Sequence, residues 1–359
     1  MKFVSEYRDK ALVEKIVKEI ERVSRKEIAL MEVCGGHTMS IHKFGIPSLL
    51  PPNIHLLSGP GCPVCVTSKK YIDIAVHLSR QPKVIITTYG DLIRVPGSDG
   101  TLDMSKAAGN DIRIVYSTID ALQIARENPD KKVVFLGIGF ETTAPGTAAA
   151  IINAHREGLL NFYVHSSHKI MPPAMEALIT EGVKIDGYIC PGHVSAITGS
   201  AIYEFIPQKY KLGCVIAGFE PTDMLQSILM LVNQIEQNNT KVEIQYKRAV
   251  KPEGNLIAKA MLEEVFEIGD EWWRGFGIIP KSGMAIREKY KQFDVAAHFD
   301  CKVPEPSEDK GCCCGEILKG LKKPTDCKLF RKVCTPENPI GACMVSNEGA
   351  CAAYYRYGE

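Results

Sequence analysis

The stretch KVVFLGIGFETTAPGTAAAIINAHRE, residues 132–157, sets the pattern for the chain. It opens on a short apolar run, KVVFLGI (132–138), whose length and β-branched content predict a buried strand. A glycine-containing turn follows, and Ala144 to His155 then shows helical spacing. Strand, turn and helix in that order make one half of a βαβ unit. The same alternation extends in both directions. IALMEV (28–33), IHLLS (54–58), KVIITTY (83–89), RIVYS (113–117), FYVHS (162–166), DGYIC (186–190) and GCVIAG (213–218) read as further buried strands. Helical patterns such as Tyr71–Ser79 and Ala174–Thr180 fall between them. Strands alternating with helices predict parallel sheets covered on both faces.

Two echoes recur at strand C-termini, where open α/β sheets bind ligands. Gly139-Phe140-Glu141-Thr142-Thr143 follows one strand, and Gly218-Phe219-Glu220-Pro221-Thr222 follows another. Cys34-Gly35-Gly36-His37 is echoed by Cys190-Pro191-Gly192-His193. Either these are coincident glycine turns or they mark two related α/β halves facing each other across a cleft. The expected fold is the second: two Rossmann-like parallel-sheet domains plus a small Cys-rich C-terminal domain.

Composition narrows the function. With 43 Lys and Arg against 42 Asp and Glu, the chain lacks the basic excess of a sequence-independent nucleic-acid binder. No stretch approaches the length of a membrane span. The N-terminal residues Leu12, Val13, Ile16, Val17, Ile20 and Val23 recur at helical spacing with charges between them, unlike a signal peptide. The expected location is therefore cytoplasmic. The 13 cysteines are the anomaly, and eight of them lie in residues 301–359. In a reducing compartment clustered cysteines serve metal or redox chemistry more often than structural disulfides.

Four constellations carry that chemistry. Gly59-Pro60-Gly61-Cys62-Pro63-Val64-Cys65 places a CxxC at a predicted helix start, where the dipole favours thiolate. Two thiols fall short of a structural zinc site, which leaves redox or catalytic-metal use against a purely structural role. Cys34, with His37 and His42 after it, reaches the mouth of the same sheet as Cys62 and Cys65. Three converging thiols suit a soft metal or a redox centre, and the alternative is a buried packing cysteine. Glu141, Thr142 and Thr143 head a helix, where they form either an anion site with a candidate acid or base, or simple N-caps. In the tail, Cys312, Cys327, Cys334 and Cys351 supply the four thiolates of a [4Fe–4S] cluster, with a Cys₄ zinc site as the alternative. His165 and His168 lie just past a strand end, facing the cleft or packed structurally, and Cys190, Cys214 and Cys301 read as packing residues.

Taken together, MEVCGGHTMSIHKFGI (31–46), SGPGCPVCVT (58–67), GIGFETTAPGT (137–147), GYICPGHVSAITG (187–199) and the tail PTDCKLFRKVCTPENPIGACMVSNEGACAAYYRY (324–357) resemble the HypD family of [NiFe]-hydrogenase maturation proteins. The resemblance implies a scaffold that works with a small HypC-type chaperone. On that complex the iron of the Fe(CN)₂CO group is bound and decorated. HypE, with HypF upstream, donates cyanide, and the hydrogenase large-subunit precursor is an indirect partner. No nucleic acid or membrane is implied. Carried over, Cys34 is an iron ligand, and Cys62 and Cys65 are a redox pair or further iron ligands. Glu141, Thr142 and Thr143 line the assembly cleft. On physical grounds an imidazole such as His37 is expected to donate hydrogen bonds to the cyanide nitrogens, as supporting residues do at other metal sites. The tail cluster feeds electrons to the thiols. The family shows C-x-C-G-E where this chain has Cys312-Cys313-Cys314-Gly315-Glu316. We assign Cys312 to the cluster, with Cys314 and Cys343 as redox-active neighbours.

The expected domains are an N-terminal helix over 1–27 packed on the C-terminal domain, α/β domains over 28–145 and 146–285, and an iron–sulfur domain over 286–359. The function expected is metallocentre assembly with redox activity rather than small-molecule turnover. The alternatives are a free-standing iron–sulfur thiol–disulfide oxidoreductase and a zinc-stapled binding module.

Overall fold

The computed structural model describes residues 5–307 and 309–358, so the expected N-terminal helix can be followed only from Ser5. Eleven strands are present among them: β1 (Ile28–Glu32), β2 (Ile54–Ser58), β3 (Val84–Thr88), β4 (Ile112–Ile114), β5 (Lys132–Gly139), β6 (Phe162–His168), β7 (Gly187–Pro191), β8 (Gly213–Ala217), β9 (Val242–Ile244), β10 (Phe266–Trp273) and β11 (Gly277–Ile286). A strand forms at each of the eight expected places, but β4 ends at Ile114, where the reading ran to Ser117, and Ile114 and Tyr116 are exposed. The first sheet has the order β2-β1-β7-β8-β9 and the second β4-β3-β5-β6; every pairing in both is parallel. The continuous apolar runs of β3, β5, β7 and β8 are buried along nearly their whole length, as strands covered on both faces require.

The sheet order corrects the expected boundaries. The first sheet takes β1 and β2 from the start of the chain and β7, β8 and β9 from beyond residue 186, and the second sheet is built from the segment between. A division at residue 145 would cut both. Backbone pairing is the reason: β1 has β2 on one side and β7 on the other, so its N–H and C=O groups are satisfied only when distant segments meet. The helix Lys10–Val23 packs against the helix Pro221–Glu236 of the first sheet rather than on the C-terminal domain. Its apolar stripe, with Ile16 and Ile20 buried, joins Met224, Leu225 and Ile228 in one core.

Three strands escape the sequence pattern. β9 is a three-residue edge. β10 and β11 form an antiparallel hairpin with a bulge between Gly269 and Glu271. The hairpin is fastened to the second sheet by Lys169, whose buried ammonium donates to Ser167 Oγ (3.0 Å), Glu271 Oε1 (3.1 Å) and the Trp272 carbonyl (2.9 Å). Beyond residue 297 the described residues hold only short helical segments as regular elements, and the cysteines there join a core shared with both sheets. None of the described helices is long and apolar enough to cross a membrane.

Candidate functional site

Each sheet reverses its winding at one point, and three of the singled-out motifs sit there. In the first sheet the reversal lies between β1 and β7, and in the second between β3 and β5. Connections leave such a point in opposite directions and open a crevice at the strand C-termini. Cys34 follows β1, His193 follows β7, and the segment Phe140–Thr143 follows β5.

Cys34 is the N-cap of the helix Gly35–Lys43 and is half-buried. Gly61 is pressed onto its backbone: the Gly35 N–H donates to the Gly61 carbonyl at 3.0 Å, and a Cβ on Gly61 would collide with the Cys34 nitrogen. This contact sets Cys62 beside Cys34. Cys62 and Cys65 are joined by a disulfide across the short helix Pro63–Val66. The two glycines after Cys34 admit neighbours within the chain. A Cβ at Gly35 would strike the Glu348 side chain at 2.5 Å, and one at Gly36 the Phe219 ring at 3.1 Å.

Two carboxylates next to Cys34 were not legible beforehand. Glu32 is buried in β1, accepts the Cys34 N–H at 3.0 Å and the Thr38 hydroxyl, and is pushed up to about 8 by burial. Glu348 comes from the tail. Burial, followed by the charge of Glu348, pushes the Cys34 thiol up to about 12, so the free side chain is a neutral thiol at physiological pH.

His37 corrects an expectation. Its Nε2 lies 3.2 Å from the Ala217 carbonyl, which can only accept, so that nitrogen carries the proton. Burial pushes the ring down to about 4 and keeps it neutral. The buried Nδ1 has no partner among the described residues, and it presents a lone pair. His37 is therefore an acceptor at this face and cannot donate to a cyanide nitrogen. It forms a tilted contact with Phe219 (4.7 Å), whose ring stacks on His193 (4.0 Å). His42 points away and packs on Tyr354 (4.1 Å).

Glu141 is buried after β5. Its Oε1 accepts the Met171 N–H at 3.1 Å, while Oε2 has no partner among the described residues. Desolvation pushes it up to about 7, within the range of a proton-transfer group. Thr143 is the N-cap residue of the helix Ala144–Glu157 but makes no capping bond; its hydroxyl turns back to the carbonyls of Ile138 and Phe140, both at 3.4 Å. Thr142 is half-buried. His165 and His168 are packed inside: His165 stacks on Tyr71 at 4.1 Å, and His168 bonds Thr147 and Ser166.

The tail thiols converge. Cys314 and Cys343 have their sulfurs 2.8 Å apart. Cys314 is held well below the usual thiol range because it accepts hydrogen bonds from Cys312 and Cys343, with the Arg274 charge nearby. Cys312 also feels Cys351, and Cys334 feels Cys351 and Cys327. The Ile340 N–H donates to the Cys334 sulfur at 3.4 Å. Among the described residues no three His, Cys, Asp or Glu side chains are arranged around a single metal ion. The short helical segments carrying Cys343 and Cys314 pack directly against the Cys62–Cys65 helix. The hairpin turn ties them together. Arg274 donates its N–H to the Val66 carbonyl (2.9 Å) and its guanidinium to that of Thr67 (3.0 Å), while Gly275 lies on Gly315.

The sequence comparisons point the same way. Residues 10–358 match the family model described as the Hydrogenase formation hypA family, HypD. The chain is similar to the hydrogenase maturation factor HypD2 of Bradyrhizobium diazoefficiens, 48% identical over all of this chain and 97% of that protein. It is 47% identical to the hydrogenase maturation factor HypD of Azotobacter vinelandii over the same shares. To the factor of that name from Rhodobacter capsulatus it is 46% identical, over all of this chain and 98% of the relative. A match of that extent, on a chain with its Cys34, His193 and Glu141 motifs at the reversal points of two parallel sheets, shows that it belongs to the HypD family of hydrogenase maturation factors.

Proposed function

We propose that this chain is an assembly scaffold for the Fe(CN)₂CO group, working with a HypC-type chaperone and receiving cyanide from HypE. The cargo iron binds at Cys34, with Cys62 and Cys65 beside it as the redox pair or as further ligands. The observation that carries this reading is the continuity of the thiols. Cys62 and Cys65 share one buried cluster with Cys314, Cys327, Cys334, Cys343 and Cys351. An exchangeable dithiol packed against a tail of soft donors is what a reductive assembly site needs.

The tail donors fit a [4Fe–4S] cluster. They are all thiols, three from separate loops and Cys351 from the first turn of the helix Ala350–Tyr357, and sit in apolar surroundings with a backbone N–H on one sulfur. Cys312, Cys327, Cys334 and Cys351 would hold it, and when bound it supplies electrons one at a time. Cys314 is engaged with Cys343, which also contacts Cys351, and Cys312, whose thiol feels the Cys351 charge, is taken as the ligand from the Cys312-Cys313-Cys314 run. Glu141, with one oxygen bonded and a pKa near neutrality, would hold or release a proton beside the cleft. Low-valent iron with cyanide and CO prefers the soft thiolate that Cys34 becomes on losing its proton.

The test uses the full chain co-purified anaerobically with its chaperone. The wild-type complex should show infrared bands of bound cyanide and CO. Cys34→Ala should lose them while keeping the iron–sulfur absorbance. Bands that persist in the variant would remove Cys34 from the ligand set. A complex without bands would leave the scaffold reading untenable. The Cys62–Cys65 disulfide also supports a second reading, a free-standing thiol–disulfide oxidoreductase; rapid reduction of a protein disulfide without any chaperone would favour it.

A further inference from the structure

The three consecutive cysteines at 312–314 fan out to different partners. Cys312 and Cys314 turn inward, Cys314 onto Cys343 and Cys312 onto Cys314 and Cys351. Cys313 turns the other way. Its sulfur lies 4.0 Å from the Gly311 carbonyl oxygen, and the Cys327 sulfur lies 3.7 Å from the same oxygen. Cys327 is buried, whereas Cys313 is half-buried at the protein surface. One carbonyl thus gathers two sulfurs at a single corner of the tail, and Cys313 stands at the variable position of the family pattern C-x-C-G-E.

We propose that Cys313 is a second ligand for the cluster corner held by Cys327, so that either sulfur alone completes the four-thiolate set. The inference rests on the tail holding an iron–sulfur cluster. Exchange at that corner breaks the bond between iron and the Cys327 sulfur and makes one between the same iron and the Cys313 sulfur. The Cys313 proton passes to the departing Cys327 thiolate, and no atom changes oxidation state. The half-buried position of Cys313 makes this the solvent-facing, exchangeable corner. The thiols beside the other ligands are taken: Cys314 beside Cys312 and Cys343 beside Cys351 are engaged with each other, and the thiols near Cys334 among the described residues are the ligands Cys327 and Cys351.

The experiment reconstitutes the full chain anaerobically with ferrous iron and sulfide. It reads iron and sulfide per chain, the electron paramagnetic resonance spectrum after reduction, and iodoacetamide labelling of Cys313 by mass spectrometry. Wild type and Cys313→Ala should each hold about four irons, as a [4Fe–4S] cluster requires. Cys327→Ala should keep that content with a shifted resonance spectrum, and its Cys313, open to labelling in wild type, should become protected. The double variant and Cys334→Ala should fall to about three irons or fewer. Cys327→Ala losing iron as fully as the double variant, while wild type holds its full complement, would overturn this proposal alone. A wild-type chain that takes up no iron and sulfide would overturn it together with the cluster reading.

Discussion

A buried carboxyl with one oxygen bonded and the other bare makes Glu141 expensive to ionise. Desolvation raises its pKa from the ordinary 4.5 to about 7. The folded state therefore keeps this proton at pH values where the unfolded chain has released it. By linkage the protonated carboxyl favours folding most below pH 4.5, and that advantage is lost as pH rises through 7. The whole difference is worth about 3 kcal/mol. Glutamine keeps the shape and cannot ionise. Glu141→Gln should match wild type in thermal midpoint near pH 5 and exceed it at pH 8. A gain of equal size at both pH values would show that packing, not ionisation, sets the cost. Such a cost retained next to the GFETT turn is what a residue kept for proton transfer would display.

Among the elements, the β10–β11 hairpin has the widest reach, because its turn touches both thiol-bearing segments. Gly275 has φ +88 and lies against Gly315; a Cβ there would meet the Gly315 Cα at 2.7 Å and its carbonyl oxygen at 2.8 Å. Gly277, two residues on, has φ +75 and open space around it. The pair separates two costs. Gly277→Ala should cost about 1 kcal/mol, the penalty of a left-handed conformation. Gly275→Ala adds a backbone collision and should cost about 2–4 kcal/mol. It should also loosen the contact between the CxxC helix and the Cys314 helix, seen as faster alkylation of Cys314 and Cys343. Equal losses in the two variants would mean that the Gly275–Gly315 contact holds nothing. This hairpin was also the element least legible in the sequence. Ile268 and Ile278 face solvent, so no alternating pattern marks the strands, and Trp-Trp-Arg-Gly-Phe-Gly reads only as a change of texture. The parallel strands were legible because burial on both faces writes itself as an unbroken apolar run. Cys34 was legible because it directly follows such a run, and the CxxC because it starts a helix after the Gly-Pro-Gly turn that leaves β2. Glu32 was hidden inside one, and Glu348 reaches Cys34 from the far end of the chain.

At the scale of the whole molecule, the first sheet is closed by segments that enclose the second. β1 pairs with β2 and then with β7, from Leu30 opposite Gly187 to Glu32 opposite Ile189. The site inherits this arrangement. Cys34 leaves β1, while the Ala217 carbonyl that fixes the His37 tautomer ends β8. Neither half of the chain can build the site alone. A fragment ending at residue 145 would leave β1 with an unpaired edge, and it would strip β5 of both β6 and the helix Ala144–Glu157. Buried backbone groups without partners, and an apolar strand face without its cover, are both costly. Fragments 1–145 and 146–359 expressed separately should therefore lack cooperative thermal unfolding and show no slow-exchanging amides in β1. Produced together, they should associate and recover both. If fragment 1–145 alone unfolds cooperatively with protected β1 amides, the first sheet does not depend on β7, and the interleaved architecture is not what holds Cys34 in place.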